Sequence, residues 1–147
     1  MKKNKGKKIN NKSFPAWGWI LIAVGIISIV GIIFLITSNS VSSMPTEVTV
    51  AQVVRLKDQG AFILDVREPS EWTQAHIAGA TLIPLGELPN RLNEIPKDKT
   101  IVVVCRTGHR SAQGRDILIK AGFTNVTSMS GGLTEWQSQG QPVVSGQ

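Results

Sequence analysis

Ile101-Val102-Val103-Val104-Cys105-Arg106-Thr107-Gly108-His109-Arg110-Ser111 is the stretch from which both fold and chemistry are read. The four β-branched residues lack the apolar–polar alternation of a half-exposed strand and predict a strand buried on both faces. The chain leaves that strand at its only cysteine. It then enters a helical pattern over Ser111–Ala121, with Ile117, Leu118 and Ala121 on one side and Gly122 as the stop.

Working outward, the two periodicities alternate. Ala51–Leu56 reads as a helix capped by Thr49 and stopped at Gly60, and Ala61–Val66 as a short apolar strand. Pro69–Ala75 reads as one or two helical turns, Thr81–Pro84 as a strand, and Leu85–Leu92 as a short helix interrupted by Pro89. Asn125–Met129 is a further strand and Leu133–Gln139 a last short helix. The alternation predicts an α/β domain, a small parallel β-sheet flanked by helices on both faces. Ligands of such sheets bind beyond the carboxyl ends of the strands, where Cys105 falls.

Residues 16–36 carry no charge over a run that, at about 1.5 Å per residue, spans roughly 30 Å as a helix, the thickness of a bilayer core. Trp17 and Trp19 stand at its first edge, as interfacial aromatics do. The sequence therefore predicts one transmembrane helix before the domain. The organisation expected is a basic tail at 1–15, the span at 16–36, a polar linker at 37–46 and the α/β domain at 47–147. The apolar run is longer than a signal-peptide core, which is commonly about 7–15 residues, so an uncleaved anchor is expected. The net charge of +6 is carried by Lys2, Lys3, Lys5, Lys7, Lys8 and Lys12, and the rest of the chain is neutral overall. A basic run abutting a span sets orientation and attracts anionic lipid; no basic stripe remains for nucleic acid. The positive-inside rule predicts a cytoplasmic N-terminus and an extracytoplasmic domain in the cell membrane.

One cysteine excludes an internal disulfide and a paired redox motif, and His76 and His109 are too few for a zinc set, so no metal is expected. An unpaired cysteine in an oxidising compartment points to reactivity. Gly108 permits a tight bend whose successive amides form an anion-binding nest, and the following helix adds the positive end of its dipole. Arg106 and Arg110 add forked cationic donors. Together these favour a thiolate, the nucleophilic form, and an incoming oxyanion. Cysteine phosphatases use a Cys-x5-Arg cradle. Here Arg110 is already the fifth residue after Cys105, so the loop is one residue short and suits a single sulfur atom better than a phosphoryl or arsenate group.

Several segments together resemble the rhodanese homology domain. Asp65-Val66-Arg67-Glu68 is similar to its first motif and His76-Ile77-Ala78-Gly79-Ala80 to its second. Residues 105–111 resemble the active loop of small single-domain sulfurtransferases, and Gly131-Gly132-Leu133-Thr134-Glu135-Trp136 the closing motif. The resemblance implies a sulfurtransferase. The Cys105 thiolate takes the outer sulfur of thiosulfate or a similar anionic donor and passes it, as a persulfide, to cyanide or a thiol. It implies an anion-binding loop of Arg106, Thr107, Gly108, His109 and Arg110, with Arg110, and Arg106 as a second candidate, holding the donor's sulfonate end, and no organic cofactor. Asp65, Arg67 and Ser111 are expected to support it: Asp65 by ordering neighbouring loops, Arg67 by pairing within the fold, Ser111 as the helix cap. A non-catalytic binding or sensing module of the same family, and a small cysteine phosphatase or arsenate reductase, are the competing readings. His76 is expected to pack and hydrogen-bond, and the short elements suggest a monomer.

Overall fold

The computed structural model describes residues 44–146. The expected tail and span, residues 1–15 and 16–36, lie outside the described residues, as does most of the expected linker. Among the described residues no helix is long and apolar enough to cross a membrane.

Five parallel strands form one sheet. They are β1 (Glu47–Val48), β2 (Phe62–Asp65), β3 (Thr81–Leu82), β4 (Ile101–Val104) and β5 (Val126–Met129), in spatial order β1-β5-β4-β2-β3. β4 lies between β2 and β5, and all four of its residues are buried. Ile101 and Val103 pack on one face with Leu64, Val66, Leu88 and Leu118. Val102 and Val104 pack on the other with Val53, Ile63, Leu133 and Trp136. Helices accordingly cover both faces. They are α1 (Val50–Asp58), α2 (Pro69–Trp72), α3 (His109–Lys120) and α4 (Gly132–Ser138).

Local chemistry accounts for most boundaries. α1 starts at Thr49, whose N–H donates to Gln52 Oε1 at 2.8 Å, one arm of a capping box. The expected helix over Leu85–Leu92 is instead two 3₁₀ turns, Leu88–Asn90 and Leu92–Glu94. Pro89 supplies no N–H to a longer ladder, and the two turns hold Arg91 between Glu87 and Glu94. The expected helix over Pro69–Ala75 is shorter, because α2 ends at Trp72 and the chain turns there to bring His76 onto Trp72. β1 was not expected. Its neighbours tie it to the sheet edge: the Arg115 guanidinium donates to the Thr46 carbonyl at 2.8 Å and the Thr127 hydroxyl to that of Pro45 at 2.7 Å. Pro45 and Thr46, at the end of the expected linker, thus bond to the sheet.

Candidate active site around Cys105

Cys105 directly follows β4 and is 1% exposed, more buried than a loop position implies. One side of its side chain adjoins the apolar cluster of Leu64, Val66 and Val103. The other meets the loop that follows. Gly108, at φ 106, adopts a backbone that side-chain-bearing residues resist, and the chain turns directly into α3 at His109. α3 therefore begins two residues before Ser111, the expected cap. Ser111 lies in the first helical turn, fully buried, and its hydroxyl donates to the Gly108 carbonyl at 2.8 Å.

The turn brings the loop amides to the sulfur. Gly108 N–H donates to Cys105 Sγ at 3.1 Å, and the Ser111 oxygen lies 3.6 Å from Sγ. Burial alone raises a thiol's pKa. Here hydrogen bonds to the ionised sulfur, from the Ser111 hydroxyl once it turns from the Gly108 carbonyl and from the backbone N–H groups of Ser111, Gly108 and Thr107, outweigh burial, and the thiol lies below its ordinary value. The sulfur is thus held toward its nucleophilic form.

The loop is set from outside by α4. Leu133 N–H donates to the Cys105 carbonyl at 2.8 Å and Thr134 N–H to the Arg106 carbonyl at 3.0 Å. In a trans peptide the C=O and N–H point in opposite directions, so pulling these carbonyls toward α4 turns the Arg106 and Thr107 N–H groups away from it. The approach is close: a Cβ on Gly132 would stand 2.4 Å from the Cys105 carbonyl oxygen. Gly132 lies in the closing motif over residues 131–136, outside the expected site. Its signal was the doubled glycine.

The arginines behave differently from one another. Arg106 and Thr107 are exposed on the loop, whereas His109, expected there, is the exposed first residue of α3. Arg110 forms a two-point pair with Glu71, Nη1–Oε2 at 2.6 Å and Nη2–Oε1 at 2.8 Å. The hydrogen bonds from Arg110 outweigh partial burial and hold the Glu71 carboxyl down at about 2. Arg110 is raised in turn, chiefly by its hydrogen bonds to Glu71. Arg110 was expected to hold a donor's sulfonate; its guanidinium is occupied by a carboxylate that the sequence reading did not single out.

Asp65 and Arg67 form a buried pair, with Nη2–Oδ2 at 2.6 Å and Nε–Oδ1 at 2.9 Å. Arg67 Nη2 also donates to the Ala75 carbonyl at 2.8 Å, so Asp65 braces the segment carrying Glu71. His76 packs as expected: its ring stacks on Trp72 with centroids 3.6 Å apart and Nδ1 lies 3.0 Å from the Trp72 carbonyl oxygen. Beside the loop runs a groove of about 410 Å³ lined by Arg67, Glu71, Gln74, Arg106, Thr134 and Gln137, among others.

A profile of the rhodanese-like domain matches residues 49–139. The chain belongs to the rhodanese-like domain family. It is 37% identical over 91 residues to a sulfurtransferase of Allochromatium vinosum, covering 61% of this chain and 85% of that protein. It is 32% identical over 87 residues to thiosulfate sulfurtransferase GlpE of Pseudomonas entomophila, covering 59% and 80% respectively. Other curated relatives are much longer, and the chain spans as little as 21% of their length. A crystal structure of a rhodanese-related protein from Thermoplasma volcanium superimposes with a TM-score of 0.63 at 32% identity, covering 68% of this chain and 98% of that one. The rhodanese-like fold and sulfur transfer as the family-level chemistry follow from these matches.

Proposed function

We infer that this protein is a sulfurtransferase that carries sulfane sulfur as a persulfide on Cys105. The observation that supports this best is the sulfur itself, which accepts the Gly108 N–H at 3.1 Å and lies 3.6 Å from the Ser111 oxygen. The Cys105 thiolate attacks the outer sulfur of thiosulfate or a similar donor. The donor's S–S bond breaks and its electron pair departs on sulfite, leaving a persulfide anion that the N–H groups of Thr107, Gly108 and Ser111 stabilise. Cyanide or a thiol then takes the outer sulfur and regenerates the thiolate, a covalent two-step cycle. A sulfur only 1% exposed favours a donor that enters end-on through one terminal atom. Arg106, exposed on the loop and lining the groove beside it, offers a cation to a donor's anionic end.

The reading includes a membrane anchor at 16–36, with the domain outside the cell membrane. It rests on the apolar run and on the basic residues before it.

The test uses the full chain. After thiosulfate treatment, mass spectrometry is expected to find one added sulfur on Cys105. Cyanide is expected to remove it as thiocyanate, and Cys105→Ser to abolish both signals. Faster cleavage of an aryl phosphate than consumption of thiosulfate would reverse the assignment. Protease added to intact cells is expected to trim the domain while the N-terminus stays protected; a protected domain would overturn the topology.

A further inference from the structure

Three arginines stand about the cysteine loop, and carboxylates hold two of them. Asp65 pairs with Arg67 and Glu71 with Arg110, each at two points. Arg106 has no ion-pair partner among the described residues. Glu71 is fixed as well as paired, since its Oε2 also accepts the Glu68 N–H at 3.2 Å. It lines the groove beside the loop, whereas Arg110 does not. A donor in that groove therefore meets the carboxylate before the guanidinium behind it. The net charge of these five side chains is one positive, which the Cys105 thiolate cancels, and the nearest further side-chain charge at Gly108 is another carboxylate, Glu47, whose Oε1 would lie 3.9 Å from a Cβ there.

We propose that Glu71 is a specificity-determining residue: by neutralising Arg110 beside the loop, it tunes the site to sulfur donors carrying at most one negative charge, organic persulfides, over the thiosulfate dianion. This rests on the sulfur-transfer reading above. With a donor R–S–SH, the Cys105 thiolate bonds the outer sulfur, the donor's S–S bond breaks, and the electron pair leaves on RS⁻. The proton of the donor's S–H passes to RS⁻, giving the thiol RSH and a Cys105 persulfide anion. No outside oxidant or reductant enters. A dianion gains little from a site whose charges already cancel. A donor with one charge or none loses nothing there, and the amides of Gln74 and Gln137 and the hydroxyl of Thr134 offer it neutral polar contacts.

The experiment measures KM and kcat for the full chain with two donors, thiosulfate and 2-hydroxyethyl persulfide, using cyanide as acceptor. Glu71→Gln keeps an oxygen for Arg110 and removes one negative charge. At low salt it is expected to lower KM for thiosulfate about five- to tenfold, with the gain shrinking as salt is added. KM for the organic persulfide is expected to stay within about twofold, because its charge at the reacting end is smaller. Arg110→Gln alone raises KM for thiosulfate, and the double variant Glu71→Gln/Arg110→Gln restores it toward wild type. A thiosulfate KM that is unchanged or raised in Glu71→Gln overturns the proposal. Should that variant not fold, the wild type decides. Its thiosulfate KM is expected to be nearly flat with added salt up to about 0.3 M, and a fivefold rise overturns the proposal. If neither donor leaves sulfur on wild-type Cys105, the sulfur-transfer reading has failed and the proposal falls with it.

Discussion

The cysteine loop and the segment over residues 65–76 handle charge in opposite ways. The loop surrounds its buried ionisable group, the Cys105 thiol, with neutral donors: main-chain N–H groups and the Ser111 hydroxyl. The segment over 65–76 supplies carboxylates and binds them to arginines in two-point pairs. An arginine-rich loop therefore need not create a positive field at its centre. Arg110, the residue that made the sequence look most cationic at the sulfur, is occupied by Glu71 from 39 positions away. What favours the sulfur anion at close range is an arrangement of dipoles, and such an arrangement depends on how the backbone is turned.

The first way to break this comparison is to strand a charge in the paired segment. Asp65→Ala leaves the Arg67 guanidinium buried without its partner, and loss of one member of a buried pair costs about 3–5 kcal/mol. Denaturant unfolding of the full chain is expected to show that loss. Asp65→Asn, which keeps an acceptor, is expected to lose less. Sulfur loading per folded molecule is expected to survive, since neither residue donates to the sulfur. If loading of the folded fraction disappears, the segment contributes to the chemistry as well as to stability.

The second variant attacks the dipoles. A Cβ at residue 132 would meet the Cys105 carbonyl oxygen at 2.4 Å and the Arg106 carbonyl carbon at 2.6 Å, both backbone, on a residue at φ +58. Neither neighbour can swing aside as a side chain would, so the loop or the start of α4 must shift. Gly132→Ala is expected to cost about 2–3 kcal/mol of stability. It is also expected to lower kcat/KM of sulfur transfer about thirtyfold or more, because the N–H groups no longer converge on Sγ. Unchanged kcat/KM in the folded variant would show that α4 does not set the loop.

These two variants also mark what could be read from the chain beforehand. Ile101–Val104 was legible because four β-branched residues in a row suit a strand covered on both faces, and Cys105 at its end followed from the architecture. The start of α3 was misread, because serine is the usual cap and Gly108 took that place through a left-handed backbone. β1 has only two residues, too few to show a period, and its neighbours are held by side chains from α3 and β5. Glu71 left no local signal, since its partner is distant in sequence and its neighbours suggest only a short helix. Pairings of this kind carry no periodicity, so the sequence displays the charges without their cancellation.

A third prediction uses the Glu71–Arg110 pair as a titratable load. The Glu71 carboxyl falls from 4.5 to about 2 on folding, so the unfolded chain binds its proton more readily. Its contribution is therefore complete above about pH 4.5 and is lost as pH falls through about 2. With the Arg110 and Glu71 side chains 32% and 26% exposed, solvent screening cuts the contribution to about 2 kcal/mol. Unfolding measured from pH 6 down to pH 2 is expected to show wild type more stable than Glu71→Gln at the upper end and the two converging at the lower. Parallel curves would mean that Arg110 gives Glu71 no measurable support.

The smallest expected effect tests the dipole side most directly. The Ser111 hydroxyl has one proton, directed to the Gly108 carbonyl while the sulfur is protonated. Once the sulfur ionises, rotation of that hydroxyl provides a donor to Sγ, one that Ser111→Ala removes while the backbone N–H groups remain. Losing one hydrogen bond to a charged group is worth about 1.5 kcal/mol, or roughly one pKa unit. The rate of Cys105 alkylation by iodoacetamide, followed against pH, is expected to shift its inflection upward by about that much and to fall about tenfold on the acid side of the inflection. The direction follows because the lost bond stabilises only the anion, so the neutral thiol gains in its absence. An unmoved inflection would leave the main-chain N–H groups as sufficient alone, and would sharpen the contrast with the segment across the groove, where each charge meets an opposite side-chain charge.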